Sequence, residues 1–437
     1  MSAPPIGLRP LLALALPSAL FTILTTGYRV VDQYFAQGIS VAAQAAIGAS
    51  VFVLILFHAC FEVFAAGAGP LIARATGAGD AAGRRAILGE ALLGAAWLSA
   101  LLMVLGTIGA PRIAQWLGLQ GEAATQCARY LRALSLTMLP LVLTPTVDQA
   151  FLGLGNARTP MLLHGLSLLL NIVLTPWFMY TLDWGIAGAA FAANLSRAAA
   201  LVIGLQRLGA LTGLSWRHLR RHGQSARILR IGTPMAVGTA FFALVYWGLL
   251  KTTVSPLGPH VNAALGIGFS ALETMTWPVF HGLALATASL VGRSLGAARP
   301  DLAREALHTA LPIATLLGVS ASLLFYWAGA PLTGWFTDDP LVHRAATEYA
   351  QILAASQFVL AWEALSEGVL AGAGDTRTVL KYSAPFNLLR IPLAWLLAFP
   401  CGYGAAGVWW AINLTTYAKT LLKGWAAWRG AWARIDP

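Results

Sequence analysis

Long hydrophobic stretches separated by short polar segments run along the whole chain. Uncharged stretches such as 161–182 and 306–337 reach the roughly 20 apolar residues that a helix needs to cross a bilayer. They are too long and too continuous for barrel strands, and backbone groups in hydrocarbon must be hydrogen-bonded internally, so the pattern predicts helices. We place twelve spans near residues 10–36, 41–72, 86–110, 133–155, 160–182, 185–206, 231–257, 261–291, 306–331, 346–372, 382–402 and 404–428.

Composition and charge agree with a polytopic membrane protein. Hydrophobic residues make up 58% of the chain and charged residues 10%, whereas a soluble domain carries about 25% charged residues. Of the 28 basic residues, 20 lie on one side of the predicted spans, five on the other, and Arg29, Arg197 and Arg390 lie within spans. This bias predicts that both termini are cytoplasmic. Orientation and lipid headgroup contact then account for the net charge of +11, and no nucleic-acid partner is expected.

The sequence contains no motif typical of a cofactor site or an enzyme active site. The three cysteines, Cys60, Cys127 and Cys401, are too widely spaced to indicate a disulfide framework or a metal site. The sequence has no Gly-rich loop with a lysine to bind a nucleotide phosphate. The one adjacent pair of acids, Asp338 and Asp339, falls in a predicted outward loop. We therefore expect no cofactor, no metal, and no enzyme activity.

An internal repeat relates the two halves of the chain. An offset of 219 residues superposes Arg74, Gly77, Arg85, Gly153, Gly155, Arg158, Gly185, Gly188 and Asn194 on Arg293, Gly296, Arg304, Gly372, Gly374, Arg377, Gly404, Gly407 and Asn413. Each half has an even number of spans, so the copies share one topology and are predicted to be related by a pseudo-two-fold axis along the membrane normal. We expect an N-terminal lobe at 1–208, a basic cytoplasmic linker at 209–227 and a C-terminal lobe at 228–437. Such a duplication favours a transporter with a cavity between its lobes, driven by an ion gradient.

Several short motifs resemble one transporter family. They are Leu16-Pro17 with Val31-Asp32, the loop 77–80, the run 153–160, the segment 171–174, the segment 188–192, and, in the second half, 267–273, 286–296, 372–378 and 407–411. In their order and spacing the chain resembles the multidrug and toxic compound extrusion family, closest to its bacterial DinF-like members. The resemblance implies an all-α protein with two six-helix lobes. It also implies antiport that exports small amphipathic or xenobiotic compounds by alternating access and is coupled to protons or sodium.

The chain departs from the family pattern at two positions. The proton-coupled branch has an acid four residues after the asparagine of the fifth helix, where Thr175 follows Asn171 here. Another branch has a glutamate in the seventh helix, where Ala243 follows Phe242. Two alternatives stay open: a flippase of lipid-linked oligosaccharides from the same superfamily, and a major-facilitator-type transporter. The major-facilitator pattern is matched in part by Asp80-Ala-Ala-Gly-Arg-Arg85.

Charged side chains inside predicted spans are costly and therefore mark candidate sites. Asp32 matches the acidic position of the family's first helix, so we predict that Asp32, with Asn171 as a neutral partner, binds the coupling ion. Arg29, one turn earlier, could instead lock Asp32 in a structural ion pair. Both interpretations remain open at this stage.

The other intramembrane charges are candidates for the substrate or ion cavity. They are Arg29, Glu273, Glu363, Glu367, Arg197 and Arg390. The repeat pairs Asp148 with Glu367 near the inner ends of their helices, where pairing with Arg158 or Arg377, or contact with water, is the structural alternative. If both Arg197 and Arg390 lack carboxylate partners, an anionic substrate is favoured; otherwise each neutralises a glutamate.

The sequence thus predicts a bacterial inner-membrane protein whose partners are a small-molecule substrate, a coupling proton or sodium ion, and lipids. A monomer is expected.

Overall fold

The computed structural model describes residues 7–117 and 119–435, and in this part of the chain all regular secondary structure is helical. The fourteen α-helices of these residues are α1 (Leu8–Ala36), α2 (Val41–Gly77), α3 (Ala81–Trp116), α4 (Gly121–Leu136), α5 (Leu139–Gly153), α6 (Arg158–Pro176), α7 (Gly185–Thr212), α8 (Ser225–Leu249), α9 (Pro259–Ile267), α10 (Glu273–Gly296), α11 (Pro300–Gly334), α12 (Pro340–Gly372), α13 (Thr376–Ala398) and α14 (Gly404–Arg429). Helices α4 and α5 form one broken span, and a π-helical stretch joins α9 to α10. The twelve predicted spans are therefore confirmed.

The helices differ in how apolar they are. Seven helices of the described residues are long and apolar enough to cross a membrane, and the α4–α5 pair, bent by 56°, makes an eighth span. Helices α12 and α14, with 33 and 26 residues, are also long enough to cross a membrane, but they carry charged side chains such as Glu363 and Lys423. Because a charge inside a membrane must be paired or hydrated, these helices are where interior polar contacts are expected.

The matching positions of the repeat lie mainly near the ends of helices. Gly155 and Gly374, equivalent under the 219-residue offset, have φ of +78° and +84°, a region that favours glycine. The following residue caps the next helix in each copy: Asn156 accepts a hydrogen bond from the Thr159 backbone N–H at 3.1 Å, and Asp375 accepts one from Thr378 at 3.3 Å. The same helix–turn–helix geometry therefore occurs in both halves of the repeat.

The described residues divide into two compact units. The N-unit comprises residues 21–236, and the C-unit comprises residues 237–435 with the start of α1 at 7–20. The start of α1 packs on α10 within the C-unit, since a Cβ added to Gly282 would lie 2.4 Å from the Ala19 nitrogen. The lobe boundaries at 208 and 228 were placed from the internal repeat and not from packing, and they stay a prediction.

Each unit has its own apolar core. In the N-unit, α2, α3 and α5 enclose buried residues that include Leu71, Leu88 and Phe151. In the C-unit, the rings of Tyr349 and Trp409 meet edge to face with centroids 4.9 Å apart, and both side chains are fully buried. Burying these side chains fixes the helices that carry the interior charges.

Small residues bring α10 and α12 into close contact in the C-unit. Gly368 and Gly372, four residues apart on α12, face Ala284 and Ala288 on α10. A Cβ added at either glycine would lie 2.5 Å from the backbone oxygen of the alanine it faces. Two glycines at this spacing allow membrane helices to approach at backbone distance.

Enlarging this contact is expected to destabilise the C-unit. Gly372→Val should lower the stability of the detergent-solubilised protein by about 1–3 kcal/mol, because the backbone of α10 must move to make room. A fall in the thermal unfolding midpoint would report the effect. Gly266→Ala in α9 is the matched control, since a Cβ there would meet no atom within 4 Å. Equal midpoints for Gly372→Val and the control would contradict the prediction.

Candidate functional site

Asp32 lies buried in the last turns of α1, with 4% of its surface exposed. The Tyr130 hydroxyl of α4 donates a hydrogen bond to its Oδ2 at 3.3 Å. Its other oxygen, Oδ1, is buried and has no hydrogen-bond partner among the described residues. A carboxylate with one long hydrogen bond and one unpartnered oxygen can accept a proton or bind a small cation.

The Arg29–Asp32 ion pair considered from the sequence is not formed among the described residues. Arg29 is exposed. Tyr28 and Asp32, four residues apart, both face the interior of the N-unit, and Arg29 between them points away from it. The charge near Asp32 comes instead from Arg197 of α7, which acts on the carboxylate electrostatically. The Arg197 guanidinium lies 3.8 Å from the centroid of the Tyr28 ring.

Asn171 and Thr175 form a separate polar contact on α6. The Asn171 amide donates to the Thr175 hydroxyl at 3.0 Å, and both residues are fully buried. No hydrogen bond joins Asn171 to Asp32 in the described part of the chain, so its role beside Asp32 stays a prediction. The threonine at the family's acidic position thus serves as the acceptor for Asn171.

A buried histidine–aspartate pair lies where α5 and α6 face each other. The Nε2 atom of His164 lies 2.8 Å from Oδ2 of Asp148, and both residues are less than a tenth exposed. The alternatives of pairing with Arg158 or contact with interfacial water were therefore wrong for Asp148. His164 was not among the site residues predicted from the sequence. The signal was a histidine inside a span, on the other side of a turn from an intramembrane aspartate.

A small cavity is lined by both the His164–Asp148 pair and Arg197. It is lined by Tyr28, Thr144, Val147, Asp148, Leu163, His164, Ser167, Arg197, Ala200 and Leu201. It has room for about one water molecule. The cavity is therefore an interior space of the N-unit that polar and apolar side chains line together.

The C-unit contains a second carboxylate–tyrosine pair, in which the tyrosine is buried and the carboxylate is partly buried. The Tyr349 hydroxyl donates to Glu273 Oε1 at 2.5 Å. Tyr349 is the repeat equivalent of Tyr130, the partner of Asp32. Each unit therefore holds a tyrosine at the same repeat position, with a carboxylate supplied by a different helix, α1 in one and α10 in the other.

Arg390 of α13 is 1% exposed and bonded to hydroxyl groups. Its Nε donates to Thr415 at 3.1 Å, its Nη2 donates to Thr416 at 3.3 Å, and its guanidinium lies 5.4 Å from the Tyr246 ring centroid. No salt bridge joins Arg390 or Arg197 to a carboxylate among the described residues. The idea that each arginine neutralises a glutamate by direct pairing was therefore wrong.

Two lysines neutralise the glutamates of α12. Glu363 Oε1 lies 2.9 Å from Lys419 Nζ and 2.6 Å from Lys423 Nζ, and Glu367 Oε2 lies 3.0 Å from Lys423 Nζ. The 20 basic residues counted on the cytoplasmic side include both lysines, and this part of the count was wrong because the two side chains are buried within α14. The alternative of pairing with Arg377 was wrong for Glu367. The signal was a four-residue spacing shared by the two glutamates and the two lysines, which lets adjacent helices pair twice.

Duplicated bundles of membrane-length helices with buried ionisable groups define a membrane transport protein. The MatE family model matches residues 17–177 and, a second time, residues 234–396, so the chain belongs to this family. Members of the family are transporters and not enzymes, which confirms that part of the prediction. The family match also sets aside the major-facilitator alternative. The closeness to DinF-like members stays a prediction.

Relatives and solved structures agree over nearly the whole chain. The probable multidrug resistance protein NorM of Thermotoga maritima is 24% identical over 95% of this chain and 91% of its own length. A FAD transporter of Shewanella oneidensis is 24% identical over 80% of this chain and 78% of its own length. A MOP superfamily transporter from Pyrococcus furiosus has the same fold, with a TM-score of 0.89 at 20% identity, over 98% of this chain and 97% of its own.

Proposed function

We propose that this chain is a cation-coupled antiporter that exports small amphipathic compounds by alternating access. Protons or sodium ions enter as the substrate leaves. The observation that carries the proposal is the buried Asp32 carboxylate, which has one unpartnered oxygen and lies close enough to Arg197 for electrostatic interaction. Ionisable groups inside a membrane mark ion pathways, because their insertion cost is otherwise unexplained.

The coupling step follows from charge balance in the N-unit. When Asp32 is ionised, Arg197 interacts with a full negative charge; when Asp32 binds a proton or sodium ion, that interaction weakens. A change of this kind alters the packing of α1 against α7, so one bound cation can bias the N-unit between two conformations. Antiport requires that the substrate prefers the conformation without the cation.

The interior arginines support substrates that carry an anionic group. A buried guanidinium without a carboxylate partner can bind a carboxylate or phosphate through two parallel hydrogen bonds. The relatives include both multidrug resistance proteins and a FAD transporter. Within the amphipathic class we therefore favour compounds that bear a carboxylate or phosphate, and we propose that Arg390 recognises this group.

The loop charges support an orientation with both termini in the cytoplasm of a bacterial cell, and we propose the inner membrane as the location. A single cysteine at Gly223, in the exposed segment between α7 and α8, should not react with an impermeant thiol reagent added to intact cells. A cysteine at the exposed Gly38 between α1 and α2 should react. Labelling at Gly223 as strong as at Gly38 would contradict the proposed orientation.

Transport by purified protein in liposomes tests the function. Ethidium serves as a cationic amphipathic probe and fluorescein as an anionic one, each under an imposed proton gradient or an imposed sodium gradient. We expect at least one gradient alone to drive at least one dye against its concentration difference. Protein-free liposomes are the control. Failure of both gradients with both dyes would contradict cation-coupled export of amphipathic compounds.

A further inference from the structure

Polar residues form a descending series through the N-unit from Asp32 to the α5–α6 turn. On α1, Tyr28 lies one helical turn before Asp32 and is 2% exposed. On α6, Ser167 and His164 are three residues apart and share one face of the helix. His164 pairs with Asp148 of α5 at 2.8 Å. The series therefore uses three helices and ends six residues into α6.

The gap between α1 and α6 contains polar side chains. Tyr28, Ser167, His164 and Asp148 all line the same small cavity. The hydroxyls of Tyr28 and Ser167 are buried and interact with each other, and neither has a hydrogen bond of good geometry to another group among the described residues. Buried hydroxyls are ordinarily hydrogen-bonded, so two adjoining hydroxyls beside a cavity of water size can pass a proton to each other and to an ordered water in that cavity.

Tyr28 lies within electrostatic range of both carboxylates. The charged groups that act on Tyr28 are Arg197, Asp148 and Asp32. Two ionised carboxylates facing one guanidinium leave one uncompensated negative charge in a buried space, which is costly. One proton restores neutrality whether it resides on Asp32 or on the His164–Asp148 pair. The proton can therefore change position within the N-unit without changing the net charge of the cavity.

We propose that Tyr28, Ser167 and the His164–Asp148 pair form a proton path between Asp32 and the cytoplasmic end of the N-unit. The inference rests on the proposed function, and it assigns the coupling cation as a proton. In one passage Asp32 gives up its proton, the hydroxyls and a water transfer it, and His164 Nε2 holds it against Asp148 before release at the α5–α6 turn. Histidine suits this role because its unperturbed pKa lies near neutral pH.

The position of the pair fits a release site. Helix α6 begins at Arg158, so His164 lies about 9 Å along the helix axis from its first turn. Phe21 stacks on the His164 ring, with centroids 5.5 Å apart, and holds it in place. The ring can therefore face the cavity on one side while remaining close to the end of the helix.

Chemical rescue distinguishes a proton path from a merely structural pair. His164→Ala should lower proton-gradient-driven export by about tenfold or more, with the KM for the dye unchanged, because proton transfer and not dye binding is impaired. Added imidazole, which fits the space left by the side chain and carries protons near neutral pH, should restore a large part of the rate. Pyrazole has nearly the same shape but is a far weaker base, so it should not. His58→Ala, at an exposed histidine of α2, is the matched control and should keep the wild-type rate.

A second variant, His164→Gln, keeps the test decisive if His164→Ala does not fold. Should His164→Ala give no folded protein, His164→Gln keeps a hydrogen-bond donor for Asp148 but cannot accept a proton near neutral pH. Slow export by folded His164→Gln, with a pH profile different from that of the wild type, supports the path.

The outcomes separate this inference from the proposed function. Wild-type rate and pH profile in His164→Ala or His164→Gln, or equal rescue by imidazole and pyrazole, would overturn the proton path and leave Asp32 coupling intact. Export by the wild type under a sodium gradient but not a proton gradient would overturn the path and leave antiport standing. Failure of the wild type under both gradients would overturn the function itself.

Discussion

Asp32→Asn is expected to give folded protein that no longer couples export to a cation gradient. The asparagine keeps the size of the side chain and can still accept the hydrogen bond from Tyr130, but it cannot ionise. Without a group that gains and loses the cation, gradient-driven export of the probe dye should fall to the level of protein-free liposomes. Dye binding in detergent should persist, because coupling and substrate recognition use different groups.

Asp338→Asn provides the matched control for this loss. The same chemical change is made at an exposed aspartate in the loop before α12, and export should stay at the wild-type rate. Elution as a monodisperse peak and an unchanged unfolding midpoint would show that Asp32→Asn is folded. Full coupled export by folded Asp32→Asn would remove Asp32 from the mechanism and transfer the role to Glu273, the other carboxylate that a tyrosine hydroxyl contacts.

Lys423→Met is expected to be the most destabilising single change among the interior ion pairs. Lys423 is completely buried and contacts both Glu363 and Glu367. Its removal leaves Glu367 without this partner and Glu363 with Lys419 alone. Breaking a buried pair on one side costs about 3–5 kcal/mol, because the remaining charge stays desolvated. The unfolding midpoint in detergent and the yield of folded protein should both fall.

A double variant tests whether the loss is electrostatic. Lys423→Met with Glu367→Gln removes both charges of the 3.0 Å pair and leaves Glu363 paired with Lys419. This protein should be more stable than Lys423→Met alone. Lys381→Met, at an exposed lysine of α13, controls for loss of a positive charge and should leave the midpoint unchanged. A double variant less stable than the single one would contradict the charge argument.

The fold was predictable from sequence because its determinants are local and periodic. Span length follows from bilayer thickness, and the turns at Gly155 and Gly374 follow from a backbone conformation that favours glycine. The offset of 219 residues then relates the halves. None of these steps requires knowing which side chains meet across helices.

The partners of the interior charges could not be predicted in the same way. Arg29 is three residues from Asp32 and looked like its partner, yet the contact comes from Tyr130, almost a hundred residues away. Helix rotation decides which of two neighbouring side chains faces the interior, and it is set by packing against other helices. Lys423 illustrates the same limit: a lysine near a helix end usually reaches the interface, but here two glutamates on α12 hold it inside.

Comparing polar residues at equivalent positions of the two halves would have predicted some of the interior contacts. Tyr130 and Tyr349 are related by the same offset as the turns, and each donates a hydrogen bond to a carboxylate in the interior of its unit. A polar residue kept at equivalent positions of both halves is thus a sign of an interior contact. His164 lacks this sign because its equivalent position holds Ser383, and it was missed.

The steady-state accumulation ratio of the probe dye tests the central claim most directly. Proteoliposomes with wild-type protein are held at a series of imposed proton or sodium gradients, and the inside-to-outside ratio of the dye is measured once it is constant. Coupled antiport predicts that the logarithm of this ratio rises linearly with the logarithm of the cation gradient for the coupling ion, and that Asp32→Asn keeps the ratio at one. A wild-type ratio of one at every gradient would show passive transport and contradict the account.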